Sequence, residues 1–188
     1  MKSLSFLLML LLINLVFITE TSFSKSFEKK DFPKIQKLGE IAPNLYQSGN
    51  LFFSGQPNLE TFEWLKTQEV DLIINLRSEK ENDEFAKSAF NEKERAAILG
   101  MKYISIPVLG NDSYTKENLI KFGDALNSRY NKVFIHCASC GRVSNFMIAY
   151  LVQYQNYEMN EAIDFGKQLR FSFPLENLLD KKIIWKTD

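Results

Sequence analysis

The chain has 188 residues, 45% hydrophobic and 13% aromatic, with 23 Lys and Arg balanced by 23 Asp and Glu and a single histidine. That is one domain's worth of residues with ample material for a core, which excludes disordered, collagen-like and coiled-coil classes. A net charge of +0 gives no electrostatic footprint for nucleic acid, and two cysteines, Cys137 and Cys140, with one histidine cannot build a disulfide scaffold or a four-ligand zinc site.

Lys2 precedes an apolar run from Leu4 to Ile18, and small residues follow at Ser22 and Ser24. This three-part layout predicts a signal peptide over residues 1–24, cleaved after Ser24, and hence an exported, periplasmic or secreted protein; an uncleaved N-terminal membrane anchor is the alternative. Residues 25–44 read as a polar lead-in outside the core, and 45–188 as the folded domain. Leu45-Tyr46-Gln47 and Leu51-Phe52-Phe53 flank Ser48-Gly49-Asn50, the pattern of a hairpin. Asn58 caps a predicted helix to about Gln68, with Leu59, Phe62 and Leu65 on one face. The run VDLIINL, Val70 to Leu76, has the character of a buried strand.

Charged residues 78–84 are expected to form a loop, followed by a helix to Leu99 that stops at Gly100. Met101 to Val108 reads as the next strand. Leu119, Phe122, Leu126 and Tyr130 recur at helical spacing behind a cap at Ser113 or Thr115. Lys132 to His136 (KVFIH) is a third buried strand, followed by Cys137-Ala138-Ser139-Cys140-Gly141-Arg142 and an apolar helix from Val143 to about Tyr154. Asn160 is expected to cap a helix over 162–169, and Pro174 to open a last one. Strands alternating with helices predict a single α/β domain with a mainly parallel central sheet and helices on both faces.

The chemistry concentrates at residues 137–142. In open α/β sheets, ligands sit beyond the carboxyl ends of strands, where a loop leads into a helix N-terminus. Small residues there let successive N–H groups turn inward, and the following helix contributes its positive end, so the backbone of Ala138, Ser139, Cys140 and Gly141 is predicted to bind an anion. Arg142 offers a planar fork that matches two phosphate oxygens. Cys137 is the candidate nucleophile, reactive as a thiolate. Bringing a free thiol from ~8.5 to ~5 requires about 5 kcal/mol, of which a helix dipole supplies at most ~2 kcal/mol. Loop N–H groups, the arginine and orientation by His136 are the sources expected for the remainder.

His-Cys-x4-Arg after a strand, with SGQP at 54–57 and INLR at 74–77, resembles the cysteine-dependent protein tyrosine phosphatase superfamily. The resemblance is nearest to the small bacterial phosphatase-like domains found alone or fused to beta-lactamase-like hydrolases. It covers Leu45 to Leu169. It implies a cofactor-free phosphatase acting on phosphorylated protein or small phosphomonoesters through a cysteinyl-phosphate, with Cys137 as nucleophile, Arg142 as clamp and Asp112 as general acid. Two departures stand out. Four residues separate Cys and Arg where five are usual, and Cys140 stands three after the nucleophile, where the pattern has glycine. Ser144 reads either as a hydroxyl facing the sulfur or as a helix-surface serine. Arg77 reads either as a site residue or as a surface partner of Glu79 or Glu81. Asp112 is equally readable as a turn residue, and His136 as the close of a buried strand.

Other readings fit parts of the same segment. A rhodanese-like sulfurtransferase also places four residues between Cys and Arg. Cys137-Ala-Ser-Cys140 has the spacing of thiol-disulfide oxidoreductases, and in an oxidising compartment it predicts a disulfide that reversibly blocks the nucleophile. A non-catalytic anion-binding domain is the fourth reading.

Overall fold

The structure, a computed structural model, describes residues 32, 34–171 and 175–183. The predicted signal peptide and Pro174 lie outside these residues. Among them are six strands and seven helices. The strands are β1 (Gln36–Lys37), β2 (Leu45–Ser48), β3 (Leu51–Ser54), β4 (Leu72–Asn75), β5 (Lys102–Ser105) and β6 (Val133–His136). The helices are α1 (Leu59–Thr67), α2 (Glu79–Ser88), α3 (Glu92–Ile98), α4 (Lys116–Leu126), α5 (Gly141–Tyr154), α6 (Met159–Lys167) and α7 (Glu176–Leu179).

The strands form one sheet in the order β1-β2-β3-β6-β4-β5. β1, β2 and β3 pair antiparallel through the predicted hairpin, and β3, β6, β4 and β5 are parallel. The predicted α/β domain with a mainly parallel sheet is the one observed. β1 is an addition, formed within the segment that reads as a polar lead-in: Gln36 pairs with Gln47 although neither is apolar. Ladder hydrogen bonds, not hydrophobic pattern, recruit it.

Each face of the sheet carries its own core. Phe52, Ile73 and Phe134 meet Phe62 and Leu65 of α1 and Ala96 of α3 on one side. Phe53, Leu72, Ile74, Val133 and Ile135 meet α4, α5 and α6 on the other. Complete burial of residues such as Phe53, Ile74 and Phe134 contributes roughly 1.5–3 kcal/mol each. Helix α5 is buried from Val143 through Leu151, so it is apolar nearly all round and sits inside the domain. Strand β6 runs between β3 and β4, which places its carboxyl end, and the loop into α5, at the middle of the sheet.

Several sequence expectations are corrected. Residues 79–88 are helix α2, not loop: Ser78 accepts from the Glu81 N–H while the Glu81 carboxylate accepts from the Ser78 N–H, a reciprocal cap that starts a helix despite its few apolar residues. A second cap at Asn91 then begins α3, so one expected helix is two. Leu59 is 45% exposed, and Thr61 takes its place on the buried face beside Phe62 and Leu65. Helix α4 ends at Leu126, before Tyr130, and its cap is Thr115. Helix α6 starts at Met159, where the Glu158–Glu161 box, and not Asn160, forms the cap.

Candidate active site

Between β6 and α5 the chain runs Cys137 to Gly141 in a tight loop, as expected from its small residues. Three contacts with the SGQP segment fix its path. The Cys137 N–H donates to Ser54 O at 3.3 Å, the Gln56 N–H donates to Ala138 O at 3.0 Å, and Gly55 and Ser139 form an isolated bridge. Gly55 is there because nothing larger fits: a Cβ would lie 2.9 Å from Ala138 O and 3.3 Å from Ser139 Cα. SGQP is therefore more than a turn before α1; it is the wall against which the loop is folded.

Cys140 closes the loop in a left-handed conformation, φ 70° and ψ −5°, as the residue preceding α5. This explains the glycine expected there, since side chains with a Cβ are strained at that angle. Both cysteines are free and 1% exposed. Burial and the neighbouring Cys137 charge push the Cys140 thiol far above the ordinary cysteine range, opposed by Arg170. The first turn of α5 begins at Gly141, immediately after the loop, and the N–H groups of a helix's first turn have no intrahelical partner.

Arg142 is held firmly. Nη1 and Nη2 form a fork–fork pair with Glu81 at 2.7 and 2.6 Å, and Nη1 also donates to Leu76 O (3.1 Å) and Val108 O (2.8 Å). Although burial works against its charge, Glu81 and Cys137 hold the guanidinium protonated above its ordinary range. Hydrogen bonds from Arg142 in turn draw the Glu81 carboxyl from 4.5 to about 2, against the effect of burial. The pair uses the outer edge of the fork and leaves Nε and the second Nη2 proton for a ligand. A cavity of about 260 Å³ opens over Arg142, lined by Glu81, Val108, Leu109, Gly110, Asn111 and Tyr114. The Tyr114 phenol is hydrogen-bonded to buried Asn145, and burial raises its pKa.

Asp112 lies on an exposed 3-10 turn, Asn111–Ser113, directly after the Gly110 and Asn111 that line this cavity. Ser144 answers to neither expectation. It is fully buried, and its hydroxyl donates to Gly166 O at 2.9 Å, joining α5 to α6 where Gly166 allows the helices to meet closely. Arg77 is not a simple surface partner: Nη1 donates to Gln56 Oε1, Nε lies 3.9 Å from Glu81, and the guanidinium sits 5.5 Å from the Phe85 ring.

Sequence reasoning missed two carboxylates. Glu81 is legible as the glutamate of a Ser-x-x-Glu cap, three residues after Ser78, though not as the partner of Arg142. Glu92, 6% exposed, lies against His136 with no sequence signal at all.

Comparison with known proteins agrees with this geometry. Residues 30–177 match the model of a family described as DSP-PTPase phosphatase fused to NAD+ kinase. The chain belongs to that family, and its fold is that of cysteine-dependent phosphatases of the protein tyrosine and dual-specificity type. Among solved structures it is similar to Tk-PTP in its active form, with TM-score 0.61 and 16% identity over 75% of this chain and 99% of that one. PTPMT1 in complex with PI(5)P gives TM-score 0.58 and 21% identity over 70% and 89%. A DUF442 protein from Shewanella putrefaciens CN-32 gives TM-score 0.54 and 28% identity over 73% and 89%. A search of the curated proteins finds no match. Family membership sets aside the rhodanese-like and thiol-disulfide oxidoreductase readings.

Proposed function

We propose that this protein is an exported phosphatase that hydrolyses phosphomonoesters through a cysteinyl-phosphate at Cys137. The observation that carries the reading is the loop itself. A cysteine at the carboxyl end of the central strand, an arginine five residues later at the start of α5, and a backbone folded between them against Gly55 form one anion cradle.

In this reading the Cys137 thiolate attacks phosphorus, forming the S–P bond as the P–O bond to the leaving group breaks. Loop N–H groups and the free edge of Arg142 hold the equatorial oxygens, whose charge grows in the transition state. Asp112 gives its proton to the departing oxygen, a role supported by its place on the rim, one residue beyond Asn111. Water, giving a proton to the Asp112 carboxylate, then attacks phosphorus, the S–P bond breaks, and phosphate leaves with the thiolate and the acid restored. Substrates are phosphorylated proteins or small phosphomonoesters. Export rests on the apolar run and small residues of the first 24 positions.

The test is release of inorganic phosphate from p-nitrophenyl phosphate by purified protein under reductant, beside Cys137→Ser and Arg142→Ala. Turnover by wild type and its loss in both variants is the expected result. Hydrolysis that survives Cys137→Ser refutes the mechanism, and binding of phosphate without turnover by wild type leaves the anion-binding reading. Fractionation of cells expressing the full chain checks export.

A further inference from the structure

Glu92 is the most enclosed carboxylate near the loop, and the mechanism above gives it no task. It opens α3, and its side chain is 5% exposed. Oε1 accepts from Gln56 Nε2 at 2.6 Å; Oε2 accepts from Asn75 Nδ2 at 2.9 Å and from the Tyr103 hydroxyl at 3.0 Å. His136 Nε2 lies 3.2 Å from the same Oε2. The imidazole is stacked on Phe134, with centroids 5.3 Å apart, and is fully buried.

These partners are the carboxyl ends of β4 and β6, a residue of β5 and the SGQP segment. Two of them hold the loop directly. His136 is bonded through the chain to Cys137, and the Gln56 N–H donates to Ala138 O. From Gln56 the chain of contacts continues through Arg77 to Glu81 and so to Arg142. One buried anion thus anchors the backbone on both sides of the nucleophile and reaches Arg142 through three side chains, Gln56, Arg77 and Glu81.

Stability alone does not call for such a group. A buried ionised carboxylate must recover a large desolvation penalty, and apolar replacement of buried charges is often neutral or stabilising. Its several donors instead fix the positions of groups that touch the loop. The carboxyl stays ionised: burial pushes it upward, but the charge and hydrogen bonding of His136, with Gln56 and Tyr103, bring it to about 2.

We infer that Glu92 is a positioning residue for Cys137, acting through His136 and Gln56. It sets the orientation of the imidazole beside the nucleophile and the register of the loop at Ala138. The charged and titratable groups facing Glu92 are His136 from β6 and Tyr103 from β5, with Glu79 and Asp83 of α2 and Lys93 of α3 lining the same cavity. Those facing Cys137 are Arg142 and Cys140 at the start of α5 and Tyr114 from the opposite loop. The inference deepens the phosphatase reading and rests on it only for the kinetic measurement below.

The experiment compares wild type, Glu92→Gln, His136→Asn and the double variant in the full chain. Hydrolysis of p-nitrophenyl phosphate gives kcat and KM, and iodoacetamide alkylation, located on Cys137 by mass spectrometry, gives thiol reactivity from pH 5 to 9. In Glu92→Gln, kcat is expected to fall about 10- to 100-fold with KM within about threefold, as for a small misplacement of reacting groups. The pH at which alkylation of Cys137 reaches half its plateau rate should rise by about one unit, a tenfold change in the thiolate equilibrium. Glu92→Gln should cost less in the His136→Asn background than in wild type, leaving only the effect carried through Gln56, because coupled residues are non-additive.

Unchanged kcat and alkylation in Glu92→Gln overturn the inference, as does a lower melting temperature with an unaltered alkylation profile. If Glu92→Gln does not fold, Gln56→Leu decides. This half-buried position keeps its backbone bond to Ala138, and its kcat should fall at least threefold; wild-type turnover there also overturns the inference. Absence of phosphate release by wild type refutes the phosphatase reading, while the alkylation profiles still judge Glu92.

Discussion

Cys140 gives the sharpest test of the loop's conformation. Its φ of 70° places a side chain where glycine is favoured, at a strain of roughly 1–2 kcal/mol for a residue with a Cβ. Replacing it by alanine or by glycine removes the same buried thiol, so the difference between the two variants isolates the backbone term. At ordinary helix or strand positions glycine is the less stable of the pair by roughly 0.5–1 kcal/mol, because its unfolded chain is freer. Here the strain relieved exceeds that entropy, and Cys140→Gly should be the more stable by about 1 kcal/mol. For a chain of this length that separates melting temperatures by about 2–4 °C. Thermal melts of both proteins under reductant measure it, and turnover of Cys140→Gly should equal or exceed that of Cys140→Ala. A Cys140→Ala protein that melts at or above Cys140→Gly means that residue 140 is not left-handed in solution, and the described loop path is then wrong.

Three further predictions follow from the same geometry. Gly55→Ala sets a methyl 2.9 Å from Ala138 O, a backbone atom that yields only if the loop shifts; turnover should drop about tenfold or more while the protein stays folded by circular dichroism, and wild-type activity refutes the packing role of SGQP. Glu81→Gln removes the fork–fork partner of Arg142; if the carboxylate orients the clamp, kcat/KM falls about tenfold, whereas a rise shows that Glu81 competes with the substrate for the guanidinium. Acid stability should report Glu92: a carboxyl lowered from 4.5 to about 2 contributes stability that is fully present above about pH 4.5 and is lost as the pH falls toward 2, on the order of 3 kcal/mol in all. Urea midpoints between pH 6 and pH 2.5 should fall less steeply in Glu92→Gln than in wild type, and parallel slopes refute the assignment.

Much of the fold and the centre of the candidate site were legible because they depend on local pattern. VDLIINL and KVFIH are apolar runs of strand length, Asn58 is a cap before a helical face, and Cys137 to Arg142 are contiguous, so chain order alone delivers the cysteine, the small loop residues and the arginine to one strand end. Local pattern also misled in places. The reading of residues 78–84 as loop followed their charge and overlooked that Ser78 and Glu81 cap each other, and the reading of Ser144 followed chain proximity to Cys137 although its hydroxyl faces α6.

What tertiary structure alone decided is the company these residues keep. Glu81 stands 61 positions from Arg142 and Glu92 stands 36 from Gln56, and nothing in composition or spacing marks Glu81 as a partner of the arginine or Glu92 above the other acidic residues of α2 and α3. Their partners are fixed by the parallel sheet, which gathers the carboxyl ends of β4, β5 and β6 at one edge and lets the helices crossing it bring carboxylates there. Sequence determined the candidate nucleophile and the candidate clamp, because a segment of six residues is a local object. The fold chose the anions that hold them, because a buried charge is stable only where several distant donors converge.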